Sequence, residues 1–81
     1  MKIEVLGTGC AKCNKLFDET RLALAASGVQ AELLKVEKID EIVARGVAIT
    51  PALVIDGEVR SAGRIPKAAA IASWIRAAAG V

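Results

Sequence analysis

Histidine is absent from the 81 residues. That excludes imidazole acid–base catalysis, Ser-His and Cys-His nucleophile pairs, and histidine metal ligands. Tyrosine is absent too, and Phe17 and Trp74 are the only aromatics, so the core has to be aliphatic. No apolar run approaches the ~20 residues of a membrane span, and no membrane partner is expected. A net charge of +2 is too small to imply nucleic-acid binding. Repeats, linkers and charge blocks are missing. With 54% hydrophobic and 25% charged residues, the chain is nevertheless a folding sequence rather than a disordered tail. Its length predicts one domain over residues 1–81. A chain this short buries only ~60% of the surface exposed when unfolded. That leaves no room for a separate catalytic domain or a deep cofactor cavity, and no cofactor is expected.

Cysteine is scarce: only Cys10 and Cys13 are present. They are too close in sequence to staple a fold, and two cysteines do not make a disulfide framework. Lys2 and Glu4 place charges inside the first apolar run, which reads as neither a signal nor a transit peptide. A cytoplasmic protein is therefore expected, with its thiols mostly reduced. In that setting a Cys-x-x-Cys pair points to catalysis or metal binding rather than to structure.

Ile3, Val5 and Leu6 form a short apolar run, ended by Gly7-Thr8-Gly9, that predicts a mostly buried strand. A helix is predicted from about Ala11 to Ser27, with Gly28 at its C-cap and Cys13, Leu16, Phe17, Thr20 and Leu24 as its apolar stripe. Gln30 to Val36 is a second strand. A short helix follows, with Ile39, Ile42 and Val43 on one face and Gly46 as terminator. Ala52 to Ile55 is an apolar strand entered through Thr50-Pro51. Asp56-Gly57 predicts a hairpin, with Glu58 to Ser61 pairing back antiparallel. Gly63 breaks the chain, and Pro66 suits the first turn of a last helix reaching about Ala79, with Ala68, Ile71, Ala72, Ile75 and Ala79 as its stripe. Trp74 borders that stripe and is expected to cover a sheet edge. The order β-α-β-α-β-β-α makes the first two strands parallel neighbours and the last two a hairpin. The result is an α/β fold: a four-stranded mixed sheet with helices on both faces.

Cys10 falls at the threshold of the first helix and Cys13 inside its first turn. Orphan N–H groups at a helix N-terminus and the macrodipole stabilise a thiolate, and Lys12 and Lys15 add positive charge. A cysteine so placed can have its pKa lowered to ~3.5–7.5. Cys10 is thus the expected exposed nucleophile. Cys13, on the apolar stripe, is the expected shielded thiol that attacks a mixed disulfide at Cys10 and releases the substrate. Two other readings stay open. The cysteines can be inert small hydrophobes. Alternatively, Gly7-Thr8-Gly9-Cys10-Ala11-Lys12-Cys13 resembles the loop of heavy-metal-associated domains and copper chaperones, whose paired thiolates suit a soft ion such as Cu(I) or a metalloid. Those domains run β-α-β-β-α-β and end on a strand, whereas this chain ends on an Ala-rich helix. Gly7, Thr8 and Gly9 lack the Gly-Lys-Ser/Thr continuation of a phosphate loop, and more plausibly let a partner approach Cys10.

Together, Cys10-x-x-Cys13 at the start of a helix, Thr50-Pro51 before an apolar strand and the Asp56-Gly57 hairpin resemble the thioredoxin superfamily. The similarity is greatest to the small single-domain redox-active disulfide proteins of archaea and bacteria, and it covers essentially the whole chain. The resemblance implies a thioredoxin-like fold and thiol–disulfide oxidoreductase activity on disulfide-bearing protein substrates. It also implies a reductase, of the flavin-dependent kind, to recycle the dithiol. Pro51 is implied to be cis and to face the cysteines, with the Thr50 backbone hydrogen-bonding an extended substrate segment and Gly9 leaving it room. Glu4 stands six residues before Cys10, where typical thioredoxins carry a buried carboxylate, and would take a proton from Cys13. It reads equally as a strand-edge residue touching water and paired with Lys35. The chain departs from the usual pattern in having Gly9 before the pair and Ala11-Lys12 within it, so a redox potential does not carry over. Arg64 and Lys67 read as a solvated face, and Ala62-Gly63 stands where glutaredoxins have a Gly-Gly pair, so glutathione is not the expected main partner. An adaptor domain without turnover is the third class open to this sequence.

Overall fold

The computed structural model describes residues 1–81. Seven elements follow in the expected order: β1 (Lys2–Leu6), α1 (Ala11–Ser27), β2 (Glu32–Val36), α2 (Ile39–Ala44), β3 (Ala52–Ile55), β4 (Glu58–Ala62) and α3 (Ala68–Ala79). The sheet order is β2-β1-β3-β4. β1 pairs parallel with β2, and Leu6 lies opposite Val36. It pairs antiparallel with β3, where Leu6 lies opposite Ala52. β3 and β4 form the hairpin, closed by Asp56 and Gly57, both at positive φ. The Asp56 side chain also accepts from the Lys2 amide at 2.8 Å, tying the turn to the start of β1.

Alternation along β1 sends its side chains into two separate cores. Ile3 and Val5 join Leu16, Ala23, Leu53, Ile55, Ile71, Ala72 and Ile75, a nine-residue cluster between the sheet and the packed pair α1 and α3. Leu6 turns to the other face, where Val36, Ile42, Val47, Ala52 and Val54 complete a six-residue cluster beneath α2. Helices therefore cover both faces, unequally. In α1 the fully buried line is Cys13, Leu16, Thr20 and Ala23. The Thr20 hydroxyl donates to the Leu16 carbonyl at 2.7 Å, so its burial leaves no orphan polar group.

Three expectations need correction. Ile39 and Val43 do not share the buried face of α2: they are 69% and 63% exposed, and Ile42 alone is buried. A six-residue helix has under two turns and offers the sheet little more than one anchor, with Val47 from the next loop supplying the second. Pro66 is not in the first turn of α3, which starts at Ala68 with Lys67 as its N-cap. Ala79, the last residue of α3, is exposed rather than part of its stripe. Trp74 is half-buried, with the Arg60 guanidinium 5.3 Å from its ring centroid.

Candidate active site

β1 delivers the chain to the site. The Gly7 amide donates to the Val36 carbonyl at 2.9 Å, extending the β1–β2 ladder one residue before the loop turns away. Gly7 lies on the α1 face by alternation from Val5. A Cβ built there would overlap Cys13 Sγ and lie 2.9 Å from Cys13 Cβ, so only glycine lets the second cysteine seat against the strand end. Gly9 sits at φ +89°, in the left-handed region, and turns the loop into α1.

Cys10 is the N-cap of α1, with φ −70° and ψ 166°. Its sulfur does the work usually given to a Ser or Asp oxygen, accepting the Cys13 amide at 3.2 Å. Cys10 is exposed, whereas Cys13 is 5% exposed. The two sulfurs are bonded to each other, with Cα atoms 5.1 Å apart. The first turn of α1 contains no acidic residue, Lys12 lies between the two cysteines and Lys15 follows them. Helix dipole, open amide and lysines all act in one direction and favour a thiolate at Cys10 once the bond is reduced.

Thr50 and Pro51 enter β3 one residue beyond the Leu6–Ala52 pair, so the sheet register brings them to the end where Gly7 leaves β1. The Thr50–Pro51 peptide is cis. Pro51 is buried and Thr50 exposed. The Pro51 carbonyl accepts from the Gly63 amide at 2.8 Å, which pins the end of β4 to the same corner. The topology thus gathers Gly9, Cys10, Cys13, Thr50 and Pro51 at one pole of the sheet.

Glu4 belongs elsewhere. It is 5% exposed, not a strand-edge residue touching water, and its partner is Arg45 rather than Lys35. Arg45 Nε donates to Glu4 Oε2 at 2.9 Å, and its second terminal nitrogen closes the fork. Arg45 also donates to the Glu41 carbonyl at 2.9 Å, tying the end of α2 to β1. The hydrogen bond that Arg45 donates to Glu4, opposed by desolvation and helped by the charges of Glu4 and Glu41, holds the Arg45 pKa above its ordinary value. Lys35 instead lies opposite Val5 on the α1 face, with its ammonium 4.7 Å from the Phe17 ring centroid.

Ile49 escaped the sequence reading. It is 63% exposed beside Thr50, and a Cβ on Gly63 would fall 2.8 Å from its Cγ2, so Ile49 and the β4 end form a small apolar shelf. An apolar residue directly before Thr-Pro was the available signal, but it fits no periodicity. No group of three or more His, Cys, Asp or Glu residues gathers anywhere, and the element order of the metal-carrier alternative is absent, so that alternative gains no support. No helix is long and apolar enough to cross a membrane.

A sulfur-capped helix behind a glycine loop, at the sheet end where a cis Thr-Pro enters the third strand of a β2-β1-β3-β4 sheet, is the arrangement of the thioredoxin-like thiol–disulfide oxidoreductases. Residues 1–76 match the family model described as "Thioredoxin domain", and the chain belongs to that family. Among curated relatives, a protein named "Thioredoxin" from Methanothermobacter thermautotrophicus is 40% identical over 65 residues, covering 80% of this chain and 84% of the relative. Another of that name, from Methanocaldococcus jannaschii, is 38% identical over 64 residues, covering 79% and 73%. The chain is a thiol–disulfide oxidoreductase by this membership.

Proposed function

We propose that residues 1–81 act as one thioredoxin-like unit in which Cys10 is the nucleophile and Cys13 the resolving thiol. The observation that carries this assignment is the contrast at α1: Cys10 is exposed and caps the helix, while Cys13 is buried against Gly7. In the reduced protein the Cys10 thiolate attacks a substrate disulfide. A Cys10–substrate sulfur bond forms, the substrate S–S bond breaks, and one substrate thiolate leaves. Cys13, deprotonated, then attacks Cys10 Sγ. The Cys10–Cys13 bond forms, the mixed disulfide breaks, and the second substrate thiolate leaves with the electron pair. Two electrons pass from the dithiol to the substrate.

Thr50, Pro51 and Gly9 are assigned to substrate positioning. The exposed Thr50 backbone stands at the corner where an extended segment would add alongside it, and Gly9 leaves the approach to Cys10 unblocked. The substrates are disulfide-bearing proteins, and a reductase of the flavin-dependent kind returns the pair to the dithiol. A reducing cytoplasm is the setting in which that cycle runs. Glu4, locked to Arg45, is assigned to holding α2 on the sheet rather than to the chemistry.

Insulin reduction driven by dithiothreitol tests the reading. The chain is expected to accelerate precipitation of the insulin B chain, Cys10→Ser to abolish the acceleration, and Cys13→Ser to accumulate a mixed disulfide at Cys10. Accumulation in Cys10→Ser instead would reverse the two roles. Tight one-to-one Cu(I) binding with no acceleration would replace redox exchange by metal carriage.

A further inference from the structure

Resolution requires Cys13 to lose its proton inside the fold. The residue that the resemblance offered for this, Glu4, points its carboxylate into the α2 side of β1, toward Arg45. Cys13 stands on the α1 side, against Gly7 and next to Val5. A crevice of about 10 Å³ opens beside it, lined by Val5, Gly7, Gly9, Asn14, Lys35 and Glu37. That is close to the least space that holds one water molecule.

Lys35 and Glu37 are the only charged residues in this lining. β1 contributes Val5, the loop after it Gly7 and Gly9, and α1 the neutral Asn14 besides Cys13 itself. Lys35 reaches the crevice from β2, where it lies opposite Val5. Glu37 reaches it from the residue after β2: a Cβ built on Gly9 would stand 3.3 Å from Glu37 Oε2, so the carboxylate borders the cysteine loop directly. Neither residue is engaged elsewhere by an ion pair, since the three in the chain join Arg21 to Asp18, Arg45 to Glu4 and Arg60 to Glu58. Both side chains are exposed, so each exchanges protons with solvent.

We propose that Lys35 and Glu37 are the positioning pair that sets the protonation of Cys13, with Glu37 receiving the Cys13 proton during resolution and Lys35 balancing the thiolate charge. The proposal rests on Cys13 being the resolving thiol. The Cys13 S–H bond breaks as the proton passes, through the crevice, to a Glu37 carboxylate oxygen. The freed sulfur pair then forms the bond to Cys10 as the Cys10–substrate bond breaks and the substrate thiolate leaves with that electron pair, and Glu37 returns the proton to solvent. The two charges act oppositely on the equilibrium. The lysine favours the Cys13 thiolate and the carboxylate disfavours it, while the carboxylate alone speeds the transfer.

Two readouts on the full chain separate this from a structural role. In the Cys10→Ser background Cys13 is the only thiol, and its titration is followed by the NMR shift of its β-carbon. Lys35→Met is expected to raise that midpoint and Glu37→Gln to lower it, each by about 0.5 pH unit or more, the range for a single nearby charge. With both cysteines present, an aromatic disulfide such as dithiobis-nitrobenzoate releases one thiolate on attack by Cys10 and a second on resolution. Glu37→Gln is expected to slow the second release about 5- to 10-fold and leave the first unchanged, less than the ~10²–10⁴-fold of a sole general base because water in the crevice still accepts the proton. A slower resolution alongside a lower Cys13 midpoint is a pairing that loosened structure does not produce. Midpoints within about 0.2 of the parent, or an unchanged second release in Glu37→Gln, would overturn the proposal. A parent chain lacking any second release would count against Cys13 as resolver, and the midpoints would still decide the charge pair.

Discussion

The two faces of the sheet are built differently. The α1–α3 face holds nine buried apolar residues from β1, β3 and two long helices, and Cys13 is seated on that face. The α2 face holds six, under a helix of six residues whose Ile39 and Val43 face solvent. What that face lacks in apolar area it replaces with a charged fork, Glu4 to Arg45, backed by the Glu41 carbonyl. The difference shows where rigidity is placed. The dithiol is carried on the face where dispersion and burial are greatest, and the thinner face is held by directional bonds that add little area.

Truncation on each face tests that contrast. Leu16→Ala, at 0% exposure in the thick core, should cost about 4–5 kcal/mol, the upper part of the range for leucine truncation. Ile42→Ala on the thin face should cost about 2 kcal/mol, because its neighbours can close from the solvent side. Urea unfolding of both variants gives the comparison, and equal losses would break it. Gly7→Ala ranks next. A methyl group there has to displace Cys13, and overpacking of this kind costs about 1–3 kcal/mol. Denaturant melts should show that loss together with slowed resolution, whereas Gly28→Ala, with open space around its Cβ, should leave exchange untouched.

The charged fork sharpens the comparison through pH. Because the Arg45 pKa is raised, the stabilisation from its charge is fully present below the ordinary arginine value and is lost only as pH rises through the raised one. The stability difference between the parent and Arg45→Met should therefore stay flat from neutral to moderately alkaline pH, as read by thermal melts. A difference that shrinks across that window would mean the fork is not what holds α2. The smallest effect is expected at the sheet edge, where Arg60→Ala removes a cation–π contact on Trp74 worth about 0.5–1 kcal/mol. Trp74 fluorescence during the same melts reports it.

What was legible before the structure follows from the range of the interactions. Strands, hairpin and helices could be read because Ile3-x-Val5, Asp56-Gly57 and the Leu16–Thr20–Leu24 spacing are local patterns. The placement of the cysteines, Cys10 exposed at the helix cap and Cys13 buried, was readable for the same reason: they are three residues apart, and the helix start between them is set by neighbouring residues. The partner of Glu4 was not readable. Arg45 lies 41 residues away, and no local pattern says which of several basic residues β1 will meet. The exposure of Ile39 and Val43 was misread because periodicity marks an apolar stripe without saying whether a six-residue helix can press it against the sheet. Lys35 reads in the sequence only as a partner for Glu4, and nothing local marks Glu37; the register of β2 on β1 is what brings them beside Cys13.

On β4, Leu53 pairs with Ser61 and Val54 with Val59, so Arg60 is an extra residue on the outermost strand. The extra residue bends the strand and interrupts its line of free amides and carbonyls, the template on which a stray chain would otherwise polymerise. The opposite border, β2, carries Glu32 and Lys35. The irregular β4 and the charged β2 leave neither border of the sheet a regular, neutral template, which keeps one folded chain from extending another edge to edge.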